Sequence, residues 1–213
     1  MENKFNREFS PLENLRVLDL SDEKGELCGR ILGDLGADVL KIESASGASS
    51  RSIGPFAPDG TSLYFAYRNL NKRSAVIDFE TDDGLEELLS VVKQSDVLIE
   101  TFLPGTLSEL GLSPEFLMSE NPSLIIVSLT DFGQTGPDSS FIATDDIVFA
   151  RSGWLSVSGV IDKPPLLAPG SISYDTLGIV GAYATLLGIL HRDRNGTGQH
   201  IDVSAVEALA QMN

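Results

Sequence analysis

One cysteine (Cys28) and two histidines (His191, His200) are all that 213 residues offer to a disulfide framework or a Cys/His metal cluster, and that count excludes both. No metal is expected. Basic residues are scarce too: 15 Lys and Arg stand against 31 Asp and Glu, a formal net charge of −16. Surfaces built for nucleic acid or anionic lipid need the opposite balance, so neither partner is expected. No uninterrupted apolar run approaches the roughly 20 residues that span a bilayer. The opening MENKFNREFS is polar, with no apolar signal core. Three motifs are also missing. There is no Gly-x-Ser-x-Gly elbow for an α/β-hydrolase, no P-loop, and no G-x-G-x-x-G after the first strand for a nicotinamide cofactor. The expectation is a soluble, cytoplasmic protein.

Length allows one domain or two, with enough chain for a real core. Short β-branched runs alternate with helical patterns. Strands are predicted at 16–20, 39–43, 74–78, 96–100, 124–129 and 199–204. Helices are predicted at 26–35, from the Thr81-Asp82-Asp83 cap through Leu85, Leu88, Leu89 and Val92, at 107–110 and 114–118, near 146–151, and at 176–191. The 44–61 stretch, rich in Ser, Gly, Pro and Ala, reads as an ordered loop. The first strand–helix–strand spacing implies a parallel pair with a right-handed crossover. Gly25, Gly29 and Gly33 share one helical face and allow close approach to the sheet. The fold class is therefore α/β: a Rossmann-like, mostly parallel sheet flanked by helices, with ligands at the carboxyl ends of its strands.

The charge is uneven. Between Lys41 and Arg73 lie five bases (Lys41, Arg51, Arg68, Lys72, Arg73) and two acids (Glu43, Asp59), a +3 island in a −19 remainder. Such an island suits a phosphate-bearing ligand, although a surface stretch that drifted basic has the same composition. Cys28 reads as a small core thiol, His191 as a helix-end charge, and His200 as structural. Among the carboxylates Asp175 stands apart, at the start of a small-residue apolar helix after Pro169-Gly170-Ser171-Ile172-Ser173-Tyr174. It reads either as an ordinary N-cap or as a carboxylate nucleophile that stays ionised and screened from water.

Six segments, in order and spanning nearly the whole chain, resemble the class III coenzyme A transferases (the CaiB/BaiF family). They are LRVLDLS (15–21), LGDLGADVLKIE (32–43), NKRSAVIDFET (71–81), SDVLIETFLPGTLSELGLS (95–113), NPSLIIVSLTDFGQTGP (121–137) and GILHRDRNGTGQHIDVSAVEAL (188–209). The resemblance implies that Asp175 attacks an acyl-CoA thioester to give an acyl-aspartyl anhydride. Released CoA thiolate then forms an aspartyl-CoA thioester, which an acceptor carboxylic acid takes over. It also implies that Arg51, Lys72 and Arg73 lie near the phosphates of CoA and Phe102 near the adenine.

The same resemblance implies an interlocked homodimer, and makes residues 1–213 the N-terminal part of a large domain in a longer design. A helix start at Ser204, just before the end, suits that expectation. The sequence departs from the family pattern at Asp22–Glu26, Thr101, Glu109 and Thr130, positions that bear on substrate identity. Asp145 stands where the family's 2-methylacyl-CoA racemases carry a His. Without a near-neutral imidazole, α-proton shuttling loses its acid–base pair, which favours transfer over racemisation. A third reading is a catalytically incomplete half-chain that binds CoA or pairs with a separate chain.

Overall fold

In a computed structural model describing residues 10–212, the chain alternates strands and helices as follows. In order they are β1 (Arg16–Asp19), α1 (Glu26–Asp34), β2 (Asp38–Glu43), a 3-10 turn (Ser49–Ser52), α2 (Leu63–Arg68), β3 (Lys72–Val76), α3 (Asp82–Val92) and β4 (Val97–Glu100). There follow α4 (Thr106–Glu109), α5 (Pro114–Glu120), β5 (Ile125–Thr130), α6 (Asp145–Arg151), α7 (Trp154–Val157), α8 (Ile172–Asn195), β6 (Gln199–Ser204) and α9 (Ala205–Ala210). The reading of a leaderless start falls on residues 1–10, almost all outside the described residues.

The six strands form one sheet in the order β3-β2-β1-β4-β5-β6, and every adjacent pair is parallel. Strand order reverses between β1 and β4, and a crevice opens at such a switch point on the carboxyl side. Alternation along each strand divides the core into two layers. Val17, Val39, Ile99 and Val127 face α1 and α8, while Leu18, Leu98 and Ile126 meet Leu88, Leu117 and their neighbours on α3 and α5. β5 is buried at all six positions because it is covered on both faces and paired on both edges.

Local chemistry explains most boundaries. Ser62, Thr81, Ser113 and Ser204 each accept a backbone N–H from the first turn of the following helix. Gly196, in the left-handed conformation, closes α8. At 24 residues α8 is long and apolar enough to cross a membrane, but half of its most apolar stretch is buried here, packed against α1, β5 and β6. A Cβ on Gly178 of α8 would sit 2.8 Å from Leu27 Cβ, so glycine sets how closely α8 approaches α1. Of the three predicted close-approach glycines, Gly29 is the sharp case: its Cβ would fall 2.6 Å from Asp19 Oδ2.

The structure moves several predicted boundaries. β3 begins at Lys72, two residues before its β-branched run. α8 begins at Ile172, so Asp175 sits inside the helix and does not open it. α2 and α7 fall where no helix is predicted, because each is a short element held by tertiary contacts and a local turn.

Candidate functional site

At the switch point a cleft of about 420 Å³ is lined by Asp22, Glu23 and Lys24 from the loop after β1, Ala143 and Thr144 before α6 with Asp145 at its start, Ser171 and Tyr174 at the start of α8, and Tyr64 from α2. Loops after β1 and β5 reach it because parallel strands bring their carboxyl ends to one edge. The Lys24 ammonium meets the buried Asp131 at 3.0 Å, and Asp131 Oδ2 also accepts the Ala143 N–H at 3.0 Å. Burial raises the Asp22 and Asp145 carboxyls above the ordinary range.

Asp175 flanks this cleft. It lies about 100° around α8 from Tyr174, as successive helical residues do, and faces Arg68 at the end of α2. One nitrogen of Arg68 approaches Asp175 Oδ1 at 2.5 Å; the Arg68 side chain is 4% exposed and that of Asp175 40%. Asp175 Oδ1 is buried but accepts no well-aligned hydrogen bond, so this is an ion contact and not a guanidinium fork. The exposed part of the side chain lies elsewhere, toward Oδ2. Arg68 stacks over the Tyr64 ring at 4.3 Å, and the Tyr64 hydroxyl lies 3.3 Å from Ser171 Oγ.

The cap reading of Asp175 is corrected here. Ser171 is the N-cap position, and Asp175 donates its N–H to the Ser171 carbonyl at 2.8 Å as an ordinary helical residue. The free N–H at Tyr174 is accepted by Asp145 Oδ1 at 2.9 Å, while Ser173 Oγ donates to the Asp145 carbonyl at 2.9 Å. Asp145, at the racemase His position, thus serves the helix start as acceptor.

The basic island does not converge. Arg51 lies at the carboxyl edge, donating to both Glu43 oxygens at 2.6 and 2.8 Å and stacking on Phe65 at 3.8 Å; its side chain is 45% exposed. These hydrogen bonds from Arg51 hold Glu43 down at about 2. Lys72 is buried under α1, its ammonium enclosed by Asp19 Oδ2 (2.7 Å), the Glu26 carbonyl (2.7 Å) and Asn69 Oδ1 (2.8 Å). Arg73 projects from the amino end of β3 onto Asp38 at 2.7 and 2.8 Å, beside Arg16. Val76 lies three residues further along the strand, so Arg73 stands roughly 10 Å from the carboxyl edge. A single phosphate cradle made of Arg51, Lys72 and Arg73 is therefore not what the fold builds; Arg51 alone faces the ligand edge. Lys41 is buried, donating to the Ser21 carbonyl at 2.7 Å and meeting Glu26 at 3.2 Å.

Phe102, just past β4, packs edge-on against Phe79 at 5.9 Å and donates its N–H to Glu100 Oε2 at 2.7 Å. Phe79 lines a second cavity of about 460 Å³ at the ends of β2 and β3, with Ser44–Ser46. Arg51 and Phe102 thus share the carboxyl edge. Among the described residues no cluster of three or more His, Cys, Asp or Glu could hold a metal. Burial pushes the Cys28 thiol up to about 12, in keeping with an inert core residue. Tyr64 and Tyr174 carry no motif of their own, and Arg68 is in sequence only one base of the island, because their partners lie far away in the chain.

A doubly wound sheet with a carboxylate-lined cleft on its carboxyl side defines an α/β protein of the class whose ligands sit along the strand ends. Residues 12–213 match the model of CoA-transferase family III, and the chain belongs to that family. It is 36% identical over 197 residues to a probable fatty acyl-CoA transferase, Rv3272, of Mycobacterium tuberculosis, covering 91% of this chain and 50% of that protein. It is 38% identical over 205 residues to the succinate–glutarate CoA-transferase of Agrobacterium fabrum, covering 92% and 51%. The crystal structure of a CaiB/BaiF family protein from Brucella suis superposes with a TM-score of 0.91 at 34% identity, covering 95% of this chain and 55% of the other. The chain thus spans about half the length of the relatives it matches.

Proposed function

We propose that this chain is the N-terminal part of the large domain of an acyl-CoA:carboxylate CoA-transferase, with Asp175 as its covalent nucleophile. The observation that carries this reading is the position of Asp175. Its carboxylate does no capping work, one oxygen is anchored, and the other side is open at the ligand edge of the sheet. A carboxylate nucleophile needs that combination of ionisation, orientation and access.

In this reading the acyl-CoA extends along the carboxyl edge, with Arg51 toward its phosphates and Phe102 toward its adenine. To bind phosphate, Arg51 trades part of its Glu43 fork for a second bidentate partner. Racemisation is the weaker alternative, since Asp145 is occupied by the first turn of α8 and no imidazole stands at that position. A homodimer and a cytoplasmic location belong to the same proposal.

The test is to mix the intact protein with a panel of acetyl-, succinyl- and glutaryl-CoA and then trap with borohydride or hydroxylamine. Wild type is expected to be modified at Asp175, and Asp175→Asn to remain unlabelled. Equal labelling of the two would sink the nucleophile. CoA binding with no exchange of label between acyl-CoA and free acids would instead support a binding half-chain, and α-proton exchange in deuterated water a racemase.

A further inference from the structure

We propose that Arg68 makes the two oxygens of Asp175 chemically unequal: it retains Oδ1 through every turnover and stabilises the oxyanion that develops on that atom. The inference deepens the nucleophile reading and rests on it. Its observations are the 2.5 Å contact of an almost fully buried guanidinium with Oδ1 and a second Arg68 nitrogen, Nη1, that is buried with no partner among the described residues. Tyr64 holds the guanidinium plane from one side and itself lines the cleft. A purely structural ion pair gains nothing from a buried unpaired donor, which costs free energy. A donor kept for a charge that appears only during reaction explains it.

The chemistry follows atom by atom. Oδ2, on the open side, bonds to the thioester carbonyl carbon, the C–S bond breaks, and CoA thiolate leaves; Oδ2 is now the bridge of an anhydride. The thiolate sulfur then attacks Cγ of Asp175, and the electron pair of the Cγ–Oδ1 double bond moves onto Oδ1. There Arg68 meets it. Collapse breaks the Cγ–Oδ2 bond and releases the acyl group as a carboxylate carrying Oδ2, leaving an aspartyl-CoA thioester whose carbonyl oxygen is Oδ1. The acceptor carboxylate attacks the same Cγ, the charge returns to Oδ1, and thiolate leaves again. The thiolate finally cleaves the new anhydride at the acceptor's carbonyl carbon. Asp175 keeps one oxygen from the acceptor in place of Oδ2.

The experiment uses the intact protein, the acyl-CoA that labels Asp175, and an acceptor acid whose carboxylate oxygens are isotopically heavy. After many turnovers, mass spectrometry of the peptide containing Asp175 is expected to show one heavy oxygen in wild type and never two. In Arg68→Lys the carboxylate turns freely between cycles, so two heavy oxygens accumulate. Its kcat falls by about 10²–10³, as for loss of one oxyanion donor, with KM for acyl-CoA unchanged. Two heavy oxygens in wild type overturn the proposal without recourse to any variant. Wild-type kcat and single exchange in both Arg68→Lys and Arg68→Gln also overturn it. If Asp175→Asn transfers CoA at the wild-type rate, the nucleophile reading fails first; if Asp175→Asn is inactive while Arg68 is dispensable, only the present inference fails.

Discussion

Asp145 Oδ1 accepts the backbone N–H of Tyr174 at 2.9 Å, tying the start of α6 to the third residue of α8. Together with the Ser173 hydroxyl on the Asp145 carbonyl, that bond anchors the turn that carries Tyr174 and Asp175. Removing it frees a helix-start donor and loosens the register of the first turn. Asp145→Ala is expected to cost about 1 kcal/mol of stability, the usual worth of such a cap, read from the urea midpoint at unchanged slope. Trapping at Asp175 is expected to slow in parallel.

Lys72 stands at the centre of a buried charge network with Asp19, and its ammonium is already enclosed by three acceptors. Burial pushes the Asp19 carboxyl up, but Lys72 and Lys41 overcome it and hold the group below its ordinary range. Lys72→Met leaves Asp19 buried with one cation fewer. Destabilisation of about 3–5 kcal/mol is expected, as for a broken buried pair, and calorimetric unfolding would register it. Stability equal to wild type would show that Lys41 alone suffices.

Arg51 and Arg73 make a discriminating pair, since they occupy opposite ends of the sheet. Arg51→Ala is expected to weaken CoA binding by about tenfold, the loss of one charge-assisted contact, while Arg73→Ala leaves it unchanged. Isothermal calorimetry with CoA reads both. Equal losses would restore a shared cradle.

Gly29 lies over the Asp19–Lys72 pair, and a methyl there meets Asp19 Oδ2 at 2.6 Å and Lys72 Nζ at 3.2 Å. Neither partner can retreat without breaking the pair. Gly29→Ala is expected to destabilise by about 1–3 kcal/mol despite the better helix propensity of alanine. A gain in melting temperature would contradict the packing argument.

Glu100 is buried at the end of β4, and that burial pushes its carboxyl up to about 7 against the hydrogen bonds from Ser128 and the Phe102 N–H. The unfolded value is 4.5. Because the folded pKa is raised, its contribution to stability is fully present below 4.5 and is lost as pH rises through about 7. Glu100→Gln keeps an acceptor for the Phe102 N–H and removes the charge. It is expected to stabilise the protein above about pH 7 by on the order of 3 kcal/mol, with the gain fading toward acid. Urea unfolding across that range tests the slope.

Much of this protein is legible along its chain. The alternation of β-branched runs with capped amphipathic helices marks all six strands, because burial on both faces of a parallel sheet demands apolar runs wherever they occur. Asp175 stands out by its setting in a small-residue apolar stretch after a Gly/Pro segment, and the family resemblance spans nearly the whole chain. Local signals fail where partners are remote. Lys72 and Arg73 adjoin in sequence, yet strand alternation sends one under α1 and the other to the amino edge. α2 shows no helical signal of its own strength, and it carries Arg68.

The α/β alternation, the acidic balance with its basic island, and the family follow from the chain alone, since these depend on residue type and short-range spacing. Tertiary structure decided which charges act. Buried ions must pair, so the sheet consumed Lys41 and Lys72 in its own stability and left Arg51 at the ligand edge. The seating of α2 against α1 and the 3-10 turn brought Arg68 to Asp175, a relation that no scarcity or abundance in the composition could encode.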